Sequence, residues 1–270
     1  TRSVSPIMLL RSLRANRDLI YNLIKRDVVG RYRGSAMGLL WSFFNPVLML
    51  AVYTFVFSVV FKARWAGGSG SNTEFALVLF AGLLVFNLFS ECLNRAPGLI
   101  LGNVNYVKKV IFPLEILPIV ALGSAAFHFL VGLVVWLVFF LLFFGVPSPT
   151  ALQLPLVIFP LVLMTLGFSW FLVSLGVYLR DVAQIIGVVT TVLMFLSPIF
   201  YPVTSLPEEY RAFMHISPLT FAVEQARDTM IWGKGIDWGV WWAYSAISTL
   251  VAWLGFAWFQ KTRKGFADVL

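Results

Sequence analysis

Arg31, Tyr32 and Arg33 stand just ahead of a long apolar stretch. Two guanidinium groups beside a phenol hydroxyl form a natural site for phosphate oxygens, because each guanidinium presents paired N–H donors to one anion. Arginines beside a membrane also meet ordinary anionic lipid, and both readings stand at this point. A second group lies between Arg95 and Glu115, a basic, amphipathic segment in which Asn105, Tyr106, Lys108, Lys109 and Phe112 could press into a cleft on a partner or anchor the chain at a charged surface. A third group, Glu208, Glu209, Arg211, Glu224, Arg227 and Asp228, mixes charge with apolar residues across positions 202–237. Two further ionisable groups sit inside apolar runs. Glu91 precedes Arg95 by four residues, a spacing that favours an ion pair on one helix face, and His128 reads as a hydrogen-bonded packing residue.

Other chemistries lack their residues. No G-x-x-x-x-G-K-[ST] phosphate loop occurs; Gly233-Lys234-Gly235 lacks both the upstream glycine and the following Ser or Thr. Any ATP must therefore be hydrolysed by another chain. Ion coupling usually places carboxylates or histidines deep within membrane helices, and here the deep interior offers only His128. An intramembrane protease or lipid transferase would need a positioned nucleophile, a metal pair or clustered carboxylates, and none is visible. The single cysteine, Cys92, excludes an internal disulfide and reads as a small packing residue.

The elements that must position these groups follow from composition. Hydrophobic residues make up 60% of the 270 and charged ones 12%, far from the composition of soluble domains. A helix needs about 20 apolar residues to cross the hydrocarbon core. The chain is predicted to make six crossings: 37–61, 75–94, 117–144, 154–178, 185–201 and 238–260. No Asp, Glu, Lys or Arg occurs between Ile116 and Leu179, so that run is a helical hairpin turning at Gly145, Pro147, Ser148 and Pro149. With both termini inside, 15 of the 20 basic residues fall on the cytoplasmic side: eight before Met37, then Arg95, Lys108, Lys109, Arg180, Lys261, Arg263 and Lys264. That imbalance sets the orientation. The net charge of +8 sits at helix ends, which argues for a membrane surface rather than nucleic acid.

Residues 1–36 carry too much charge for a cleavable signal peptide, so the first crossing is expected to serve as its own insertion signal. Leu9, Leu13, Ile20, Ile24 and Val28 share one helical face opposite Arg11, Arg14, Asp18, Asn22 and Lys25, which predicts an amphipathic helix at the interface, as a surface anchor or a docking surface for a partner. Between the fifth and sixth crossings two short outward helices are predicted, starting after Leu206 and after Ser217, with Pro207 and Pro218 in their first turns and Glu208 and Glu209 at a positive helix end. Residues 261–270 read as a cytoplasmic tail.

Four local patterns, in their order and spacing, resemble the permease subunit of ABC polysaccharide exporters, the family that exports O-antigen, capsule and teichoic acid chains. They are Arg26-Asp27 with Arg31-Tyr32-Arg33-Gly34-Ser35, Gly38-Leu39-Leu40-Trp41 and Asn45-Pro46; the run from Val107 to Pro118; Arg180-Asp181 on to Ser197-Pro198-Ile199-Phe200-Tyr201-Pro202 and Pro207-Glu208; and Ser217-Pro218-Leu219-Thr220 with Arg227-Asp228. Ser217 replaces an asparagine common in the family, and Leu114 a basic residue.

The resemblance implies an all-α integral membrane protein of the bacterial inner membrane. It would act as a homodimer of six-helix subunits above two ABC ATPase subunits, with a channel between the two permease chains. This chain would hold no cofactor, ATP and Mg being bound by the partner ATPase, and the cargo would be an undecaprenyl-pyrophosphate-linked glycan. On that footing Arg31, Tyr32 and Arg33 would capture the lipid headgroup. The loop bearing Asn105, Tyr106, Lys108, Lys109, Phe112 and Glu115 would receive the ATPase's motion. Sugar rings would stack on Trp41, Phe44, Tyr53, Phe195 and Tyr201. Pro198 and Pro202, with the segment from Pro207 through Pro218 to Asp228, would form an outer gate. The same architecture would serve an ABC exporter of a drug or lipid; an ion-coupled carrier or a membrane scaffold is the alternative from another class.

Overall fold

The computed structural model describes residues 6–62, 64–65, 68–107 and 112–269; these form helices and turns, with no strand among them. The N-terminal segment is two helices, α1 (Pro6–Ala15) and α2 (Arg17–Tyr32), where one was predicted. The break falls at Asn16, which leaves the helical region at φ −108° and ψ 17° and turns its side-chain amide back onto the Ser12 carbonyl at 2.8 Å. A local side chain thus competes with the backbone ladder. The apolar face works as predicted, but against protein: Leu13, Ile20, Leu23 and Ile24 pack on Ile116 and Val120. Gly123 permits the close approach, since a Cβ there would stand 2.2 Å from the Ile24 Cδ1.

The first apolar stretch begins as a 3-10 turn at Gly38–Leu40, becomes α3 (Trp41–Tyr53) and widens to a π-helix at Thr54–Val60. It then gives way to α4 (Asn72–Arg95), whose start is fixed by a cap in which the Ser71 hydroxyl accepts from the Glu74 N–H at 3.0 Å. A one-turn helix, α5 (Val104–Val107), precedes α6 (Leu117–Phe144). Gly145, at φ 81°, ends α6 in a conformation that favours glycine, and α7 (Leu154–Tyr178) runs back, so the predicted hairpin turns where its Gly and Pro residues lie.

α8 (Val182–Leu196) departs most from prediction. It ends five residues before Tyr201 because Pro198 forces Ser197 into an extended conformation, at φ −94° and ψ 156°. Its 15 residues span roughly 22 Å, short of the roughly 30 Å hydrocarbon core. Among the described residues five stretches are therefore long and apolar enough to cross a membrane: Gly38–Val60, Asn72–Gly98, Leu114–Phe144, Pro149–Tyr178 and Trp238–Val269.

Short helices do occupy the segment after α8: α9 (Glu208–Met214), with Glu208 and Glu209 in its first turn, and α10 (Thr220–Met230). Pro207 caps α9 and Pro218 stands before α10, so both helices start just beyond their prolines rather than containing them. The last long helix, α11 (Trp238–Thr262), opens on Asp237, whose carboxylate accepts from the Val240 N–H at 3.2 Å. After it the chain forms a further turn and α12 (Phe266–Val269), with Phe266 buried against Phe259 and Tyr178.

α4 is the spine of the bundle, its apolar residues from Phe75 to Leu93 buried almost throughout, whereas α3 and α8 leave broad apolar faces uncovered. α7 and α11 cross at their backbones: a Cβ on Gly255 would lie 2.0 Å from the Gly167 carbonyl oxygen. Lipid gives helices no hydrophobic reason to associate, so close backbone contact between small residues carries the crossing. Gly255→Leu is accordingly expected to lower thermal stability by about 1–3 kcal/mol or more, read as a drop in the Tm of the chain in lipid discs. Gly30→Ala, where a Cβ meets nothing within 4 Å, should leave that Tm unchanged or raise it.

Candidate functional site

Docking of α2 carries its basic C-terminal turn onto α4 and α6, and the charges meet there. The Arg31 guanidinium donates to the Glu91 carboxylate at 2.6 Å and lies 3.3 Å from the His128 Nδ1. The same Nδ1 is 3.2 Å from the Glu91 carboxylate, and the Tyr32 hydroxyl meets Nε2 at 3.1 Å. His128 is thus a bonded histidine joining three helices. One turn back on α2, Asp27 accepts from Arg95 at 2.7 Å and from the Ser124 hydroxyl at 2.5 Å. The Glu91–Arg95 pair exists at 3.8 Å, but Arg31 holds Glu91 more closely. Arg33, beyond the helix end, is exposed and outside this network. Two carboxylates and two guanidiniums balance, so Arg31 meets the surroundings already neutralised.

An open cleft of about 360 Å³ lies beside this network between α3, α4 and α6, lined by Arg31, Tyr32, Ser42, Asn45, Tyr53, Asn87, Glu91 and His128 among others. Asn45 and Asn87 are exposed into it. Neither residue was singled out as a site from sequence, although Asn87 and Glu91 at i and i+4 share a helix face, as do Asp27 and Arg31.

Of the residues in the segment from Asn105 to Glu115, Lys108 and Lys109 lie outside the described residues. Asn105 is exposed, while Tyr106 stacks on Phe112 at 4.2 Å and accepts from Arg26 at 2.8 Å. Glu115 faces inward: only 6% exposed, it pairs with Arg263 at 2.7 Å, accepts from the Ser12 hydroxyl at 3.1 Å, and its backbone carbonyl accepts from the Trp170 indole at 3.0 Å. It joins α1, α7 and the turn after α11, so both ends of the described chain meet at one face.

The aromatic residues divide into two groups. Trp41 and Phe44 are exposed and touch edge to face. Tyr53 and Phe195 both pack on Phe200, which also stacks on Phe57 at 4.8 Å, and the Tyr201 hydroxyl bonds the Phe195 carbonyl. Phe57 and Phe200 thus complete a cluster between the first apolar stretch and the end of α8.

Arg227 is fully enclosed. Its guanidinium donates to the backbone carbonyls of Val78, Pro198 and Ile199 and lies over the Trp65 ring at 4.4 Å. It pins the segment after α8 to the spine, with Pro198 buried and Pro202 partly so. Arg211 ties the α9 turn by donating to the Leu206 and Thr204 carbonyls, and Asp228 pairs with Lys234 at 3.5 Å. Glu208, Glu209 and Pro207 are exposed. Glu224, whose carboxyl burial pushes up, lines a cleft of about 570 Å³ with Pro218, His215 and Asp237.

An all-helical chain with several membrane-length apolar helices, no phosphate loop of its own and a polar cleft reached from a docked surface helix is a membrane-spanning transport subunit. The profile of the ABC-2 type transporter family matches residues 18–231, and the chain belongs to that family. As such it is a transport subunit whose ATPase resides on a separate chain. It is similar to the O-antigen export system permease protein RfbA of Myxococcus xanthus, 27% identical over 264 residues covering 97% of this chain and 99% of that one. It is also similar to RfbA of Klebsiella pneumoniae, 24% identical over 94% of this chain and 95% of that one. Polysialic acid transport protein KpsM of Escherichia coli is 24% identical over 85% of this chain and 87% of its own length.

The network predicts an acid response. Burial, the largest influence on Asp27, pushes its carboxyl up, but the Ser124 and Arg95 hydrogen bonds with the charges of Arg95 and Arg31 outweigh it and hold the group below its usual value of 3.8. With the folded value below the unfolded one, the stabilisation of docked α2 is complete above pH about 4 and is lost as pH falls through the folded value. A fluorescence pair on α2 and α6 should hold constant from neutrality to that point and separate below it, and Asp27→Asn should remove the transition. Glu115→Ala removes the buried carboxylate that joins Ser12 to Arg263 and should cost about 3 kcal/mol, seen as a lower Tm with faster proteolysis of α1.

Proposed function

We propose that this chain is the membrane subunit of an ATP-driven exporter that moves lipid-linked polysaccharide, of the O-antigen kind, out of a bacterial cytoplasm. The observation that carries the reading is similarity over nearly full length to O-antigen export permeases, joined to a polar cleft at the foot of the membrane helices. Two copies of this chain pair through the uncovered apolar faces of α3 and α8, above two ATPase subunits, in the inner membrane. Six crossings are made, with α8 as the fifth: its helical part is short, and the buried run Ser197–Phe200, pinned by Arg227, completes its depth. Both termini are cytoplasmic, in keeping with the meeting of α1 and the turn after α11 at Glu115 and with the basic residues gathered at that face.

The exposed Asn105 and the residues following Tyr106 meet the ATPase, and Glu115 carries that motion inward to α1 and α11. α9 and α10, with their exposed Glu208 and Glu209, stand at the outer mouth as a gate. Arg33 and Tyr32 receive the diphosphate of the undecaprenyl carrier at the rim, and Arg31 reaches it only by exchanging Glu91.

The test is ATP hydrolysis by the chain co-purified with its ATPase in lipid discs. Addition of undecaprenyl-diphosphate-linked glycan from the host should stimulate turnover severalfold, and Arg33→Ala should remove most of that stimulation without lowering the basal rate. A complex indifferent to glycan but stimulated by a drug or a plain lipid would overturn the cargo.

A further inference from the structure

We infer that the cleft between α3, α4 and α6 is a carbohydrate subsite that takes an uncharged sugar ring through Asn45 and Asn87, and that it does not take the carrier diphosphate. The inference rests on the polysaccharide reading above and adds a ligand class to a cleft that reading leaves unassigned.

Three observations carry it. The first is depth. Asn87 lies eight residues before the end of α4, about 12 Å along the helix axis, and Asn45 stands in the second turn of α3. Both are therefore at the level of the hydrocarbon. The second is exposure without partners: both side chains are open to the cleft, and among the described residues neither makes a side-chain hydrogen bond. A primary amide cannot be left facing lipid, which bonds neither its donors nor its acceptor. Its surroundings must supply both, and water or a polyhydroxylated ligand does.

The third observation is charge. A diphosphate needs uncommitted cations, and the cleft has none to give: Arg31 is held by Glu91 and Arg95 by Asp27. What remains is two amides offering donors and acceptors together, the Tyr53 hydroxyl, and the apolar Met49 surface beside them. Amides matched to vicinal hydroxyls, with apolar surface for the C–H face of the ring, suit a neutral pyranose. A volume of about 360 Å³ is at the small end of ligand sites and suits one or two rings of a chain passing through. The diphosphate then stays at the rim by Arg33 while the first sugars enter the cleft.

Cys92, the only cysteine, is buried, so a cysteine placed in the cleft is reported against a quiet background. Asn45→Cys and Asn87→Cys in the assembled transporter are labelled with a charged, membrane-impermeant maleimide. Both should react, and saturation with the neutral polysaccharide released from the host's lipid-linked glycan by mild acid should slow labelling about tenfold, as for a site nine-tenths occupied. Undecaprenyl diphosphate without sugar should not slow it.

Unreactive cysteines would mean a dry cleft and overturn the inference. So would equal protection by the bare diphosphate lipid, or spontaneous disulfides between two copies, which would make the asparagines a subunit contact. A wild-type transporter that exports glycan in vesicles while its cysteine variants show no saccharide protection sinks the subsite and keeps the function. A wild type that exports no glycan, with no protection, sinks both. In a second arm, Asn45→Ala with Asn87→Ala should lower glycan export severalfold at equal amounts of assembled transporter, and unchanged export would overturn the subsite.

Discussion

A hydrocarbon solvent bonds no polar group and gives apolar helices no net reason to leave it for one another. The arrangement of this bundle therefore depends on where the chain pairs its own polar atoms. Three nodes do most of that pairing: Arg227 on the carbonyls of α4 and the post-α8 turn, Glu115 on Ser12 and Arg263, and the Asp27–Arg95 and Arg31–Glu91 pairs that seat α2. Each joins segments far apart in sequence, and each lies where packing alone would leave a choice of register. Between them, close glycine contacts such as Gly167 against Gly255 fix the crossings.

The same requirement separates structural charge from functional polarity. Arg227 is surrounded by acceptors and Glu115 by donors, so neither has capacity left for a ligand. Asn45 and Asn87 are the reverse, polar and open at similar depth with nothing bonded to them. The buried charges at these nodes therefore hold the frame, while the amides of Asn45 and Asn87 stay open.

The long helices were legible in the sequence because unbroken apolar runs and Gly or Pro punctuation determine them locally; α6 and α7 begin and end where those residues place them. α8 was overextended because its apolar run continues past Ser197, while the backbone obeys Pro198. The split at Asn16 was hidden because the apolar periodicity passes through it unbroken. Site residues were less legible. Arg31 reads as a phosphate ligand from its neighbours in sequence, and nothing there signals its bond to Glu91, 60 positions away. Glu115 looked like part of a surface loop until Arg263 was seen to reach it. Long-range pairing leaves no periodic trace in one sequence.

The bond from Arg263 to Glu115 also sets an order of events during synthesis. The two residues are 148 positions apart, so Glu115 is made well before Arg263. At about 5–20 residues per second, Glu115 waits roughly 7 to 30 seconds after it is made for its counter-ion. During that interval the Glu115 carboxylate lacks the Arg263 guanidinium and keeps, among the described residues, the Ser12 hydroxyl. The face where α1, α7 and the turn after α11 meet can close only once Arg263 has been made. A subunit cut short before Arg263 would thus carry an unclosed face, because the guanidinium that closes it is missing.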